Sequence, residues 1–295
     1  MKKRKIEDVL LYADSEKNAD MLYFGGILVP DPYIAFSQGK RRLAVVNQLE
    51  FTRVRRESRF DEVLSLEEVL REAREAYGAD TGHPASTIAF LARKFGILRF
   101  RVGADFPLGP GLKLLEAGVE LEVSEGPLFP EREVKSDAEA ACIKAGNAAS
   151  AAGFRVVEKL LRKAEIRKGY LYHGGRRLTA ERVQEAIGRA CLEKGALASN
   201  TIVAGGDQAC DPHCRGTGPL RANQLIIVDI FPRVSATGYH GDMTRTYLKG
   251  RPSESQKALY GTVHEAEQWA LGEHRSGKSA ALIHRKVVEF FESQG

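Results

Sequence analysis

Residues 225–248 hold the pattern that most limits how this chain can fold. The run LIIV at 225–228 is short, continuous and apolar, as in a strand buried in a sheet, yet it ends in a carboxylate, Asp229. A segment rich in turn formers, PRVSATG at 232–238, follows, and a second strand-like run at 239–248 carries Asp242, thirteen positions after the first aspartate. An antiparallel hairpin is the simplest arrangement. If it closes symmetrically about Ser235 and Ala236, the two aspartates face each other with Cβ atoms about 4.5–5.5 Å apart. Like charges so placed persist in a partly buried sheet only if one carboxylate takes a proton or a cation sits between them. A pair of divalent ions about 3.5–4 Å apart, bridged by a carboxylate, suits that spacing. Spacing alone leaves a second reading open, a turn with two solvated aspartates, one of which ends a strand.

The remaining pattern divides in two. Strand-like runs at residues 21–29, 43–54 and 97–102 alternate with helical ones at 64–76 and 86–95, which predicts an α/β domain over residues 1–130, closed by the linker GPLFP at 126–130. Ser136 and Glu139 have capping-box spacing, so a long helix is expected from there to Lys163. A second helix should follow Thr179 and cover Val183, Ile187 and Cys191. Ser253 and Gln256 open a third, with Leu259, Val263, Ala266, Trp269 and Ala270 as its apolar stripe. Strand-like runs at 200–204, 225–231 and 239–248 lie between the last two, making residues 131–295 α+β.

With 295 residues, 43% hydrophobic and 28% charged, the chain can bury a substantial core. The formal charge of +5 comes largely from basic stretches at 1–5, 40–42 and 53–59, which lack interleaved aromatic residues and read as solvated faces, with no nucleic-acid partner. Asp14, Glu16 and Asp20 interrupt anything like a secretory core, and no run approaches the roughly 20 apolar residues that span a bilayer. A soluble cytoplasmic protein with reduced thiols is expected, with no membrane contact. Cys210, His213 and Cys214 form a C-x-x-H-C cluster with no second cluster to complete a zinc site.

The segments IVAGG at 202–206, His213, LIIVD at 225–229, GYHGDMTRT at 238–246 and Gly250 resemble the first half of the catalytic domain of the pita-bread metallopeptidases, the family of aminopeptidase P, prolidase and creatinase. REVKS at 132–136 and the α/β region ahead of it resemble the Xaa-Pro branch. The resemblance implies a creatinase-like α/β amino-terminal domain followed by a partial pita-bread domain. It implies Asp229 and Asp242 as ligands of two divalent ions (Mn, Co, Zn or Fe), with Asp242 bridging them, and His213 as the substrate-contacting histidine that stabilises charge developing on the attacked carbonyl. Thr244 and Arg245 would orient the ligands. The implied substrate is a peptide with proline at its second position, and a homodimer is among the implied assemblies.

Two departures stand out. The loop between the aspartates is slightly longer than the family's usual one, and Ile230-Phe231 follow Asp229 where a glycine commonly stands two places on. The family's glycine-flanked histidine and two glutamates, one of them the general base, have no counterpart, since His264, His274 and His284 lie in or beside helical sequence. Residues 280–292 read as a helix ending about where the family's second half-domain begins. That pattern implies a truncated, inactive polypeptide that exposes apolar sheet surface. Three rivals are set against this reading. Residues 272–279, GEHRSGKS, satisfy a phosphate-loop pattern, but a helical segment precedes them where a strand is required. A non-catalytic pita-bread scaffold or a metal-free creatinase-type hydrolase would suit an incomplete site, yet the aspartate pair is kept.

Overall fold

A computed structural model of the chain describes residues 8–78 and 82–294; the basic start at 1–5 lies outside them. It contains two compact units, Met1–Ala141 with Ala236–Gly238, and Cys142–Ser235 with Tyr239–Gly295.

In the first unit, β1 (Leu10–Ala13), β2 (Tyr33–Gln38), β3 (Arg41–Val46) and β4 (Glu62–Ser65) form a sheet in that order, antiparallel except for the parallel β3–β4 pair. A parallel pair, β5 (Arg99–Val102) and β6 (Glu120–Val123), is tied to it by a bridge from Val9 to Arg101. Alternating strand residues feed two cores. Leu10, Ile34, Phe36 and Leu43 meet helices α3 (Leu66–Tyr77), α4 (Pro84–Lys94) and α5 (Leu108–Glu116), whereas Leu11, Ala35 and Ala44 meet α1 (Ala19–Gly25) and α2 (Gln48–Glu57). This is the expected α/β domain, with two of its segments corrected. Residues 21–29 are not a strand: Asn18 accepts from the Met21 N–H, Gly26 ends the helix at φ +67°, and Met21 and Phe24 point inward one turn apart. The strand over 43–54 stops at Val46 because Asn47 caps α2 by accepting from the Glu50 N–H. The basic stretches are partly neutralised within this unit by the Arg41–Glu62, Arg53–Glu50 and Arg56–Glu57 pairs, and Arg42 stacks over Phe24 at 5.2 Å.

The expected capping box opens α6 (Asp137–Lys163): the Ser136 N–H donates to Glu139 Oε2 at 2.9 Å and the Glu139 N–H to Ser136 Oγ at 3.4 Å. After α6 comes a meander of β7 (Glu165–Arg167), β8 (Tyr170–His173) and β9 (Arg176–Arg177), turning at Lys168-Gly169 and Gly174-Gly175, all at positive φ. It has no counterpart in the expectations above. Next are α7 (Ala180–Leu192), capped by Thr179 as expected, the short β10 (Ala196–Leu197), and β11 (Ile202–Gly205). The last elements are β12 (Leu225–Ile230), β13 (Arg233–Val234), β14 (Met243–Leu248), α8 (Glu254–Glu273) and α9 (Ala280–Gln294). β11, β12 and β14 make an antiparallel sheet, and β13 pairs with β10. Val203, Ile226, Val228 and Ile230 on one sheet face pack on Phe154, Val157, Val183 and Ile187 of α6 and α7.

The apolar stripe expected to bury α8 does not do so: Ala266 is buried, but Leu259 and Val263 are 59% and 50% exposed. The helix packs on α9, where Ile283 is buried. Exposed apolar side chains therefore gather on α8 and α9, while Leu225, Ile227 and Leu248 of the sheet are half-buried, contrary to the expected apolar sheet surface. Among the described residues no helix is long and apolar enough to cross a membrane.

Two solution measurements test this layout. Replacing Asn47 with alanine should lower stability by about 1 kcal/mol in denaturant unfolding, the usual loss for a helix cap; a neutral or stabilising result would favour the continuous strand. Burial pushes the Cys191 thiol up to about 11, so Cys191 should resist a thiol reagent until the protein unfolds, while exposed Cys210 reacts at once. Prompt labelling of Cys191 would contradict its buried place.

Candidate metal-binding ribbon

Hydrogen bonding sets where the two aspartates lie. On β12 the burial alternates, with Ile226, Val228 and Ile230 buried and Ile227 and Asp229 half-buried, so Asp229 stands on the face away from the α6–α7 core. Its partner across the ladder is Thr244, and the same register carries Ile230 to Met243. Beyond the regular strands it continues, with the Gly241 N–H on Pro232 O at 3.0 Å, His240 bridged to Arg233, and the Val234 N–H on Tyr239 O at 2.8 Å.

The hairpin thus closes between Ala236 and Thr237, one residue later than the symmetric expectation. A one-residue shift of centre moves each partner by two, so the register, continued between Ile230–Met243 and Pro232–Gly241, sets Asp242 opposite Phe231 and diagonal to Asp229. The expected direct opposition is corrected, but the pair stays on one face because the side-chain period is two. Diagonal neighbours are about 7–8 Å apart. At an effective dielectric constant of about 20, repulsion falls from about 3 to about 2 kcal/mol, and less where water reaches exposed Asp242. A shared cation is therefore not required to hold the pair together. The carboxylates are nevertheless available: among the described residues neither forms an ion pair with lysine or arginine.

Thr244 Oγ1 donates to Asp229 Oδ1 at 2.7 Å, fixing that carboxylate and leaving its other oxygen open. Arg245 lies on the opposite face. It donates to the Thr244 carbonyl at 2.7 Å and stacks over Phe154 at 5.6 Å, where it roofs the apolar core. His213 sits in an exposed turn, its backbone N–H on Asp211 Oδ1 at 3.2 Å and the turn closed by the Cys214 N–H on Asp211 O. Among the described residues no three His, Cys, Asp or Glu side chains converge as a metal site, the Cys210–His213–Cys214 cluster included. The distal histidines belong to the last helices: His264 of α8 pairs with Glu267, His274 caps α8, and His284 lies within α9. The phosphate-loop pattern has no strand ahead of it, since Gly272 is still in α8, and Lys278 reaches back to Glu273.

The residues that hold the ribbon are on α6, about eighty residues or more from it in sequence, beyond the reach of the aspartate spacing. A Cβ on Gly146 would lie 2.2 Å from the Gly241 amide nitrogen, and one on Gly153 would strike Ile230 and Ile187 at 2.9 and 3.0 Å. Between these glycines, buried Ser150 donates to Ile230 O at 2.9 Å, and Asn147 Oδ1 accepts from the Asp242 N–H at 3.0 Å. The available signal was two glycines inside one helix, each disfavoured there by about 1 kcal/mol relative to alanine unless something packs closely against it.

The family model for metallopeptidase family M24 matches residues 141–295. Xaa-Pro aminopeptidase 1 of Streptomyces coelicolor is 29% identical over 222 residues, covering 73% of this chain and 42% of that protein. The chain thus spans less than half the length of this curated relative. Two solved structures share the fold: an X-Pro aminopeptidase from Thermotoga maritima (TM-score 0.77, 19% identity, 98% of this chain and 76% of that one) and a prolidase from Pyrococcus furiosus (TM-score 0.75, 18% identity, the same coverage). The expected α/β domain followed by part of a pita-bread domain is therefore borne out. Because the matched span takes in the ribbon, both aspartates and the helix residues that grip them, the chain belongs to metallopeptidase family M24.

Proposed function

We propose that this chain carries part of the metal site of a cytoplasmic Xaa-Pro peptidase, one that hydrolyses the bond between an amino-terminal residue and proline. Asp229 and Asp242 are the metal ligands of this reading, with Asp242 shared between two divalent ions such as manganese. The observation that carries it is that two carboxylates share one ribbon face, diagonal to each other, with no lysine or arginine paired to either among the described residues. Hard carboxylate oxygens of this kind fit a divalent cation in charge and donor type. Two carboxylates are a partial ligand set, so binding by these residues alone is expected to be weak.

When bound, divalent cations supply a water of lowered pKa and polarise the scissile carbonyl. The chain's own side chains do the rest of the positioning. Thr244 holds one oxygen of Asp229 so that the other is aimed consistently. His213, on a turn whose backbone is pinned by Asp211, offers an exposed imidazole to donate toward negative charge developing on a substrate carbonyl. Arg245 acts from behind the sheet, where its bond to the Thr244 carbonyl steadies β14. The proline specificity rests on the relatives' names and a homodimeric assembly on the family resemblance alone. A non-catalytic scaffold is the alternative, and the metal measurement separates the two.

Titration calorimetry of the purified chain with Mn2+ should give saturable binding that weakens at least tenfold in Asp229→Asn and in Asp242→Asn. No binding by the unsubstituted chain, or binding unchanged by both substitutions, would favour the scaffold. Thr244→Val should weaken binding by about 10–100-fold, the usual range for loss of a group that orients a ligand; an unchanged isotherm would remove Thr244 from this role.

A further inference from the structure

We propose that one turn of α6, Asn147 to Ser150, is a two-point clamp that sets the positions of Asp229 and Asp242 relative to each other, with Asn147 as the positioning residue for Asp242. Helix and ribbon meet at Gly146, whose backbone touches that of Gly241 so closely that a Cβ on either residue would come within 2.2 Å of the other's main chain. From this contact Ser150 reaches the strand that carries Asp229, donating to the carbonyl of the next residue, Ile230, at 2.9 Å. Asn147, three residues earlier on the same helix, reaches the other strand and accepts from the Asp242 amide itself at 3.0 Å. Residues three apart in a helix share a face, so a single rigid turn holds both strands of the ribbon.

Asp242 has particular need of this bond. The Gly241 N–H on Pro232 O and the Val234 N–H on Tyr239 O make Phe231 and Asp242 a non-hydrogen-bonded pair, so the Asp242 N–H points away from β12, and Asn147 Oδ1 is the acceptor it has been given. Asp229 is inside β12, a strand flanked on both sides by β11 and β14, and its carboxylate is held by Thr244. The pair is therefore asymmetric: Asp229 is held by the sheet and by Thr244, and Asp242 through its main chain by a helix side chain. The Asn147 amide donates nothing to a carboxylate in this bond. It acts through the main chain of Asp242 and leaves both carboxylate oxygens of that residue free.

This inference rests on the metal-binding reading above, and its test keeps the two apart. In Asn147→Ala, alanine is the better helix former, so a change cannot be blamed on a weakened α6. Hydrogen exchange should find the Asp242 amide protected in the unsubstituted chain and exchanging at least tenfold faster in Asn147→Ala, while the amides of β12 keep their rates. In the same variant Mn2+ binding should weaken about tenfold with thermal stability little changed, and adding Asp242→Asn should then lower affinity less than it does in the unsubstituted chain. Asn147→Asp, which retains an acceptor oxygen, should restore the protection. If the Asp242 amide is unprotected from the start, or is equally protected in Asn147→Ala, the clamp is wrong, whatever the metal does. If exchange behaves as stated but the unsubstituted chain binds no Mn2+, the clamp stands and the metal reading falls.

Discussion

The contact between Gly146 and Gly241 is the constraint on which the second unit's site depends. With hydrogen in place of a side chain on both residues, helix and ribbon approach to backbone contact, closer than any other residue pair would allow. That approach brings Ser150 and Asn147 within hydrogen-bonding range of the ribbon's two strands. Gly153, two turns further on, lets Ile230 and Ile187 fill the space a side chain there would occupy. The ribbon is thus held by packing at its buried face and by two polar bonds near its mouth. Its register, and with it the placing of both aspartates, follows from where the helix sits.

Much of this architecture is legible in the sequence because local chemistry and global fold agree. Ser136 with Glu139, Thr179, and Ser253 with Gln256 announce three helices by their caps, and the run at 225–228 announces the buried strand. Where the sequence misleads, the local signal is short. Residues 21–29 and 43–54 are apolar enough for strands, but Asn18 and Gly26 bound one helix and Asn47 opens another, signals of a single residue each. The hairpin centre moves by one residue because several turns fit PRVSATG equally well, and the pairing of β13 with β10 together with docking on α6 chooses among them. The meander over 165–177 depends on glycines and Lys168 at positive φ, a backbone property that hydrophobic periodicity does not register. The stripe of α8 follows helical periodicity, yet Leu259 and Val263 stay half or more exposed, with only Ala266 of the stripe buried.

The shift from direct to diagonal pairing changes the physical meaning of the two acids. Directly opposed, they would demand a counter-ion for the fold to tolerate them; diagonal and partly solvated, they make only a modest demand. Their candidacy as ligands then rests on availability: the same face, one Asp229 oxygen left open by Thr244, no lysine or arginine partner among the described residues, and backbones held by the sheet and by Asn147. Arg245 illustrates how strictly the sheet sorts its side chains. Adjacent to Thr244 in sequence, it lies on the opposite face and serves the core while its neighbour serves Asp229.

The central claim, that the register puts Asp229 and Asp242 where they share a cation, is tested most directly by anomalous diffraction from crystals of the chain grown with Mn2+. The expected result is an anomalous peak coordinated by oxygens of both carboxylates, on the face of the ribbon turned away from α6. A peak bound by only one of them, a peak at Cys210 and His213 instead, or an ordered ribbon with its two carboxylates on opposite faces would contradict it.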